Sequence, residues 1–449
     1  MLLKYFYDDK IAHASYMVGC QATGEALIID PGRDIDIYLA AAAENDMKIV
    51  ATTETHIHAD LISGSRELNA RVGAKMYLSD EGDANWKYEY VKAYPAEQYQ
   101  LVKDGDTFMI GNIKVEIFHS PGHTPEHISF IITDTAGANR PMGIFTGDFV
   151  FVGDIGRPDL LEEAAGIKGT AEPGARVMFK SLQRFKQLPD FLQVWPAHGA
   201  GSACGKALGA VPSSTVGYEK LFNWALPVDN EDEFVTTLLA GQPEPPYYFA
   251  MMKKLNKVGP PILGGIPQPP RLDLSRLKTE LASGVKIIDT RPARDYARGH
   301  IAGTINIPHD KSFTNWAGWI LDFENPFYVI TSSDNIKQVM RDLTYIGLDN
   351  CGGYFDLSIL DEWDDALEKY SRTTPADIAD RIKKGEVTLL DVRSQSEWDE
   401  GHIPGAMHIM LGRLANRINE VPTDKPVVVQ CRTDGRSAIG ASVLQAKGI

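Results

Sequence analysis

Hydrophobic and polar residues follow two distinguishable patterns along the first half of the chain. Short apolar runs such as ALIID, KIVATTE, VEIFHS and MGIFTGD have the length and composition of buried β-strands. They alternate with stretches of helical character such as DIYLAAAAEN and ADLISGSRELNARV. Strands that alternate with helices predict an α/β or sheet-and-helix sandwich, which we assign to residues 1–240.

Prolines mark the next segment. Eight of them fall between residues 241 and 270, in two clusters that flank one short stretch of helical character, FAMMKKLNK. Proline lacks a backbone donor and fixes its own φ, so such clusters interrupt both helices and strands. We therefore predict a proline-rich connector over residues 241–270.

An internal repeat follows this connector. The segment IIDTRPARDYARGHIAGTINIP begins at Ile287, and its counterpart LLDVRSQSEWDEGHIPGAMHIM begins at Leu389. A spacing of about 100 residues indicates a duplicated domain, because the repeats of solenoid proteins are about 20 to 50 residues long. In each copy a strand-like run ends in Asp and Arg before a Gly-His-Ile turn, which is typical of parallel α/β domains. We predict these two domains at residues 271–370 and 371–449.

Composition narrows the class of protein. Hydrophobic residues make up 43% and charged residues 23% of the 449 positions, as in globular multidomain proteins. A net charge of -15, without any local cluster of lysine and arginine, argues against a nucleic-acid partner. No apolar run reaches the roughly 18 residues that a membrane-spanning helix needs. We expect a cytoplasmic homo-oligomer that binds neither nucleic acid nor membrane.

Six side chains in loops after strand-like runs carry the chemistry of a metal centre. They stand in the motifs THIHADL, SPGHTPEH, FTGDFV and WPAHGAG, and are His56, His58, Asp60, His123, Asp148 and His198. Imidazole and carboxylate groups are the ligands that divalent iron, zinc and manganese take in proteins. The set therefore predicts a metal centre in the first domain.

Taken together and in this order, these motifs resemble the metallo-β-lactamase superfamily across the first 240 residues. The resemblance implies an αββα sandwich with the metal at one edge of the sheets, and a role for Asp30 in orienting a ligand by hydrogen bonding. Members that bind two zinc ions usually have a histidine directly after the motif aspartate, where this chain has Leu61. Leucine cannot bind a metal, so we expect a single ion.

The segments TGDFVFVGDIGRPDL and SPGHTPEHISF are similar to the persulfide dioxygenases of that superfamily. This resemblance implies one Fe(II) per chain, held by His56, His123 and Asp148, while the other three residues of the set surround the ion. The sequence leaves open whether His58 is itself a ligand. Two imidazoles and one carboxylate leave positions free on an octahedral iron for both a persulfide sulfur and dioxygen.

Three further side chains lie close to these motifs. The stretch WPAHGAGSACGK is similar to dioxygenases that are fused to rhodanese domains, and it adds the thiol Cys204 and the cation Lys206 after His198. We expect Cys204 to take part in catalysis and Lys206 to line the pocket, with packing of the thiol under the glycine-rich loop as the alternative. Arg157, in GRPD, either binds an anionic substrate or braces its own loop.

A second reactive centre follows the β-rich run PVVVQ near the end of the chain. Its loop consists of Cys431, Arg432, Thr433, Asp434, Gly435 and Arg436. A thiol at the end of a strand, inside a tight turn of backbone N–H groups, is stabilised as an anion. Together with DVR and EGHIPGA upstream, the loop resembles the rhodanese family, which implies that Cys431 carries sulfane sulfur.

The first copy of the repeat differs at this loop. Ser332 stands where the second copy has Cys431, and Lys337 stands where it has Arg436. That copy therefore resembles a rhodanese fold without transferase chemistry, with a structural or docking role. The second copy stops at AKGI while the first continues, so we expect the second to lack a last strand and helix.

The whole arrangement resembles fusions of a persulfide dioxygenase with rhodanese domains. It implies that a low-molecular-weight thiol persulfide is oxidised by O₂ to sulfite, and that Cys431 hands a sulfane sulfur to sulfite to form thiosulfate. The carrier thiol stays open among glutathione, coenzyme A, bacillithiol and others. The alternatives are a zinc-dependent thioester hydrolase of the glyoxalase II type and a persulfide carrier or sensor without turnover.

Overall fold

A computed structural model describes residues 1–160, 162, 169–202, 204–206, 208–242 and 244–449. Contacts divide the chain into two compact units, which are Met1–Ile266 with Tyr345–Gly347, and Pro267–Thr344 with Leu348–Ile449. Pro243, one of the prolines of the predicted connector, lies outside the described residues. Within the described ranges, no helix is both long enough and apolar enough to cross a membrane.

The first unit is built on two β-sheets. The strands of one sheet are β1 (Leu2–Asp8), β2 (His13–Cys20), β3 (Glu25–Ile29), β4 (Lys48–Thr53), β5 (Lys75–Ser79) and β6 (Tyr99–Val102). Those of the other are β7 (Thr107–Ile110), β8 (Ile113–His119), β9 (Ile128–Asp134), β10 (Gly143–Gly147), β11 (Gln193–Pro196) and β12 (Ser214–Thr215). Over the described residues the strands of each sheet follow one another in chain order. In the first sheet, neighbouring strands are antiparallel from β1 to β3 and parallel from β3 to β6.

The two sheets pack face to face. One apolar cluster draws Val18 and Leu27 from the first sheet and Val115 and Phe130 from the second, all nearly fully buried. Alternate residues of a strand point to opposite faces of the sheet, so each strand supplies this core with every second side chain. Burial of each such side chain contributes about 1.5–3 kcal/mol, so this layer contributes strongly to the stability of the unit.

Helices cover both outer faces of this sandwich. On the first sheet lie α1 (Asp36–Glu44) and α2 (Ser65–Val72), which pack Tyr38 and Leu68 against Met17. On the second sheet lie α3 (Ala171–Phe185), α4 (Val216–Phe222) and α5 (Glu231–Leu239). The layer order is therefore helix, sheet, sheet, helix, and the predicted αββα sandwich is confirmed.

The predicted connector contains a helix, α6 (Tyr248–Val258), and the first unit continues through it to Ile266. The helix packs Phe249 and Met252 into the unit, and both are buried. Its Asn256 side chain donates hydrogen bonds to the main-chain oxygens of His58 and Leu61, at 2.8 and 2.7 Å. Residues 241–270 therefore include a packed element that holds the loop after β4.

The second unit contains two smaller parallel sheets, one for each copy of the repeat. The first copy comprises α7 (Leu274–Ser283), β13 (Lys286–Asp289), α8 (Ala293–Arg298), β14 (Ile305–Asn306), α9 (Phe313–Ile320), β15 (Phe327–Ile330), α10 (Ile336–Tyr345), β16 (Cys351–Phe355) and α11 (Ile359–Glu362). The second comprises α12 (Pro375–Lys383), β17 (Thr388–Asp391), α13 (Gln395–Glu400), β18 (Met407–His408), α14 (Leu411–Leu414), β19 (Val427–Gln430) and α15 (Gly435–Gln445). The strand orders are β14-β13-β15-β16 and, among the described residues, β18-β17-β19 without a counterpart of β16.

The repeated Asp-x-Arg motif has one structural role in both copies. Asp391, at the end of β17, accepts hydrogen bonds from the Arg393 side chain, whose Nη2 also donates to the main-chain oxygen of Gly401 at 2.9 Å. Asp289 and Arg291 make the same contacts in the first copy. The ion pair therefore ties the end of the central strand to the Gly-His turn, which explains why this motif is shared by both copies.

Candidate metal centre and sulfur-transfer loop

The predicted metal ligands lie in loops that leave the ends of β4, β8, β10 and β11. His56, His123 and Asp148 come together with one potential ligand atom each, and these three atoms lie within 4.8 Å of one another. All three side chains are buried. A metal site of histidine and aspartate is thus present in the first unit.

Hydrogen bonds fix which nitrogen each imidazole presents. Nδ1 of His123 donates to the main-chain oxygen of Arg157 at 2.8 Å, which leaves Nε2 facing an Asp148 oxygen at 3.5 Å. The Thr55 hydroxyl donates to Asp30, so it accepts from Nδ1 of His56 at 3.0 Å. Both rings therefore keep Nε2 for a metal, as ligating histidines do when a second group holds the other nitrogen.

The Asp148 carboxylate provides a test of whether a cation fits here. It is fully buried, and neither of its oxygens has a hydrogen-bond partner among the described residues. Burial lowers the pKa of both His56 and His123, so these rings are neutral and able to ligate. A buried carboxylate without a partner is costly, and a divalent cation beside two neutral imidazoles offsets that cost. The residues present fit a metal ion.

A second group of potential ligands lies beside the first. It consists of Asp60, His198 and Cys204, whose ligand atoms also lie within 4.8 Å of one another. Nε2 of His198 is 3.2 Å from an Asp60 oxygen and 3.4 Å from an oxygen of Asp148. Burial raises the pKa of the Cys204 thiol to about 12. The prediction of a single ion was based on Leu61, which cannot bind a metal. It did not consider that the Cys204 thiol could replace that ligand in a second set.

His58 is held by Asp30. Nε2 of His58 is 3.1 Å from Oδ1 of Asp30, which also accepts a hydrogen bond from the Thr55 main-chain nitrogen at 2.7 Å. Burial opposes protonation of this imidazole, but the carboxylates of Asp30, Asp60 and Glu54 together outweigh it and raise the pKa of His58 to about 9. His58 belongs to neither group of potential ligands, and Asp30 reaches the ligand loop through His58 and Thr55.

The two cations near these groups have other partners. Arg157 is buried, and its guanidinium pairs with Asp159, with Nε 2.9 Å from Oδ1. It braces its own loop in this way while its main-chain oxygen holds His123. Lys206 directs Nζ to the main-chain oxygen of Ala240, at 2.5 Å, and belongs to neither ligand group.

His127 is a residue of the site to which the sequence analysis assigned no role. Its ring stacks on that of His56 with centroids 5.2 Å apart, and its Nε2 accepts a hydrogen bond from the Asp148 main-chain nitrogen at 3.1 Å. It thereby supports two members of the metal group. His127 occurs in the motif SPGHTPEH, four positions after His123, so its proximity to the site could have been inferred.

The Cys431 loop connects β19 to the start of α15. The main-chain nitrogens of Asp434 and Ser437 donate to Sγ of Cys431, at 3.1 and 3.3 Å. Asp434 has φ +87°, which turns the chain back over the sulfur. Two N–H groups therefore converge on the sulfur, as they do in the backbone turns that bind anions.

The remaining loop residues differ in exposure and pairing. Arg432 and Thr433 are exposed, and Gly435 begins α15. The Arg436 guanidinium pairs with both carboxylate oxygens of Glu397, at 2.5 and 2.8 Å. Arg436 therefore anchors the loop to α13.

The corresponding loop of the first copy presents a hydroxyl. The main-chain oxygen of Ser332 accepts hydrogen bonds from the nitrogens of Asn335 and Ile336 as α10 begins. Lys337 is exposed. A serine oxygen cannot form a persulfide, so this loop cannot carry sulfane sulfur.

Family models match both parts of the chain. A metallo-beta-lactamase superfamily model matches residues 9–198, and a rhodanese-like domain model matches residues 273–362 and 374–449. The metal groups lie within or just after the first match, and Cys431 lies within the last. The predicted order of domains, one metallo-β-lactamase domain followed by two rhodanese-like domains, is thereby confirmed.

Individual proteins are similar to different lengths of the chain. A metallo-beta-lactamase from Staphylococcus aureus subsp. aureus COL is 44% identical with a TM-score of 0.71, over 79% of this chain and 99% of that one. The "Persulfide dioxygenase ETHE1, mitochondrial" of Bos taurus is 28% identical over 44% of this chain and 68% of that protein. The "Hydroxyacylglutathione hydrolase" of Gloeobacter violaceus is 34% identical over 40% of this chain and 60% of that protein. The chain spans about half the length, 53%, of the curated beta-lactamase hydrolase-like proteins that it matches.

The contacts of Asp30 generate a first prediction. In Asp30→Asn one acceptor oxygen becomes an NH₂ group, so His58 and the Thr55 hydroxyl compete for the one remaining oxygen. Because the Thr55 hydroxyl holds Nδ1 of His56, the His56 ring then loses its fixed orientation. We expect metal affinity to fall about 10- to 100-fold, measured as retained metal after dialysis against graded chelator. Asp36→Asn, which changes an exposed carboxylate on α1, is the control. Equal retention in wild type and both variants would contradict this role.

Proposed function

The chain belongs to the metallo-beta-lactamase superfamily and carries two rhodanese-like domains, and from this premise we propose that it is a persulfide dioxygenase coupled to sulfur transfer. The observation that carries the proposal is the buried group of His56, His123 and Asp148 in one chain with the Cys431 loop. The substrates are a low-molecular-weight thiol persulfide, O₂ and sulfite. The cofactor is one Fe(II) per chain.

The two proposed reactions balance. In the first, persulfide RSSH, O₂ and water give the thiol RSH, sulfite and two protons, so the outer sulfur is oxidised and O₂ is reduced. In the second, another RSSH and sulfite give RSH and thiosulfate. Together they convert two molecules of RSSH into two of RSH and one of thiosulfate.

Iron in a site of two histidines and one carboxylate supplies redox chemistry and open positions for ligands. The residues of this chain hold that site rigid. The main-chain oxygen of Arg157 holds the His123 ring, and the Thr55 hydroxyl holds the His56 ring. Burial of the His56 and His123 side chains excludes bulk water from the metal site, and this protects the reactive sulfur from competing hydrolysis.

Transfer takes place at Cys431. Its thiolate attacks the outer sulfur of RSSH, so the S–S bond of the small molecule breaks, RSH leaves and a persulfide forms on Cys431. Sulfite then attacks the outer sulfur of that persulfide, thiosulfate leaves and the thiolate returns. The N–H groups of Asp434 and Ser437 stabilise the negative sulfur before and after each step.

A second candidate is a dinuclear thioester hydrolase of the glyoxalase II type. It is favoured by the second group, in which Cys204 stands with Asp60 and His198, and by the similarity to a hydroxyacylglutathione hydrolase. Zinc in such a site activates water instead of O₂. The Cys431 loop has no role in that reaction, so we rank this candidate second.

Metal content and oxygen uptake separate the two candidates. We expect protein purified without added metal to contain one iron per chain and to consume O₂ only when a persulfide is present, followed with an oxygen electrode. The His123→Ala variant, which lacks a proposed ligand, should lose both the iron and the uptake. Two zinc ions per active chain, together with hydrolysis of S-lactoylglutathione, would overturn the dioxygenase proposal.

Cys204 generates a separate prediction. Its thiol is buried beside Asp60 and His198, and burial raises its pKa to about 12, so it keeps a proton that it can donate to a ligand bound there. We expect Cys204→Ala to lower turnover about tenfold with iron content unchanged, measured by oxygen uptake per iron. Cys20→Ala, which removes another buried thiol on β2, serves as the matched control. Unchanged kinetics in Cys204→Ala would assign this thiol to packing.

The division of labour between the two centres is tested at Cys431. Because the hydroxyl of Cys431→Ser cannot hold a sulfane sulfur, we expect persulfide-dependent oxygen uptake to continue while sulfite accumulates in place of thiosulfate. Ser332→Ala is the matched control and should release thiosulfate as the wild type does. Products are compared at early times against an enzyme-free control, since sulfite and persulfide also react spontaneously. Loss of oxygen uptake, or thiosulfate at the wild-type rate, would contradict the scheme.

A further inference from the structure

A cleft of about 590 Å³ opens beside the metal group of the first unit. His123, one of the proposed ligands, lines it. Much of the remaining wall is apolar, from Trp86, Pro121, Pro158, Pro173 and Val177. Sites for small molecules commonly have volumes of about 300–1,000 Å³ and largely apolar walls, with few polar groups that fix the orientation of the ligand. This cleft has the size and position to hold the part of a substrate that is not oxidised.

Lys253, on α6, is a lysine in the wall of this cleft. Among the described residues, no anionic side chain contacts its ammonium. It is half-buried, and its Nζ lies 3.4 Å from the centroid of the Trp86 ring. Within the described residues, the ammonium makes no hydrogen bond and no ion pair. An ammonium that is partly removed from water and supported only by an aromatic face is poorly compensated. It can therefore gain an anionic partner from solution.

The electrostatic surroundings leave this cation charged. Burial is the largest influence on it and lowers the pKa of Lys253 to about 8, as does Lys257, while the buried carboxyl group of Glu126 and that of Asp83, which also lines the cleft, act in the opposite direction. At neutral pH the side chain is therefore mostly protonated. It carries its charge into a largely apolar cleft, where attraction to an anion is screened less than at the surface.

Both sides of this contact are held in place. Trp86 ends a short 3-10 turn, Ala84–Trp86, which Asp83 caps by accepting a hydrogen bond from the Asn85 main-chain nitrogen at 2.7 Å. On the other side, α6 is anchored by Asn256, three residues after Lys253, whose amide contacts the loop that carries His58. The ammonium is thus positioned relative to the metal loop by the same helix, rather than by a mobile surface chain.

We propose that this cleft binds the carrier portion of the persulfide and that Lys253 selects carriers with an anionic group, a carboxylate or a phosphate, which pairs with its ammonium. This inference rests on the proposed function and defines its substrate class. The apolar wall and the Trp86 face contact the uncharged part of the carrier, and the sulfur end lies towards His123. Lys253 is a specificity residue and takes no part in the oxidation.

The test compares carriers of different charge in the full-length, iron-loaded protein. Lys253→Met removes the charge but keeps the length of the side chain, and Lys253→Arg keeps the charge. Lys254→Met removes the neighbouring, exposed lysine of the same helix and is the matched control. For each variant kcat/KM is measured with glutathione persulfide, coenzyme A persulfide and the uncharged persulfide of 2-mercaptoethanol.

We expect the ratio of kcat/KM for an anionic carrier to that for the uncharged carrier to fall about tenfold in Lys253→Met, mainly through KM. Lys253→Arg should retain most of the preference and Lys254→Met all of it. The two anionic persulfides distinguish a carboxylate from a phosphate as the recognised group. Ratios in Lys253→Met that stay at the wild-type values for both anionic carriers would overturn the proposal, as would an equal change in Lys254→Met.

A binding measurement keeps this inference separate from the proposed function. S-methylglutathione and coenzyme A, which carry no persulfide, are titrated calorimetrically into wild type and Lys253→Met. Weaker binding of either ligand by the variant supports the role of Lys253 even where no persulfide supports oxygen uptake, in which case only the proposed reaction fails. Equal binding of both ligands, or no binding by the wild type, overturns the inference.

Discussion

Buried negative charge is the constraint on which the first unit depends. Asp148 and Asp60 are both buried, and the nearest groups to their oxygens are imidazole nitrogens, Nε2 of His198 at 3.2 and 3.4 Å and Nε2 of His123 at 3.5 Å. Two carboxylates held in this way need a compensating cation, so folding of the strand-end loops and binding of metal are thermodynamically linked. The hydrogen bonds that His56 and His123 make to the Thr55 hydroxyl and the Arg157 main-chain oxygen support that linkage. Each keeps one nitrogen of an imidazole occupied and leaves the other for the ion.

The two rhodanese-like copies share one frame and differ in the residue that heads their loops. In each, an aspartate at the end of the central strand pairs with an arginine that reaches the following Gly-His turn. This frame is independent of the residue at the head of the reactive loop, which is Cys431 in one copy and Ser332 in the other. The frame of each copy therefore depends on residues other than the one at the head of this loop.

Much of the architecture could be predicted from the sequence, because burial patterns and loop motifs are local properties of the chain. The sandwich of sheets and helices followed from the apolar runs, its αββα order from a resemblance, and the duplication from the repeat that begins at Ile287 and Leu389. The three residues of the metal group were named in advance and do lie together, although their role as iron ligands remains a prediction.

What sequence reasoning missed depends on tertiary partners. Lys206, predicted to line the pocket, directs its ammonium to the main-chain oxygen of Ala240. That partner could not be identified from spacing along the chain, whereas the pairing of Arg157 with Asp159 is one of the two roles that the GRPD motif had suggested. The grouping of Cys204 with Asp60 requires two loops to meet that are far apart in sequence. The proline-rich segment was taken as a connector because prolines dominate its composition, yet its helix α6 packs into the first unit.

The Asn256 amide on that helix decides where the chain can be divided. Besides its bonds to the main-chain oxygens of His58 and Leu61, its own oxygen accepts from the Ser63 main-chain nitrogen at 3.0 Å. A protein cut after residue 240 would leave these three backbone groups without their partner, at roughly 1–3 kcal/mol for each one that stays buried. A cut after Ile266 spares all three. The cut that keeps these contacts therefore falls at Ile266, inside the second proline cluster and not before the first.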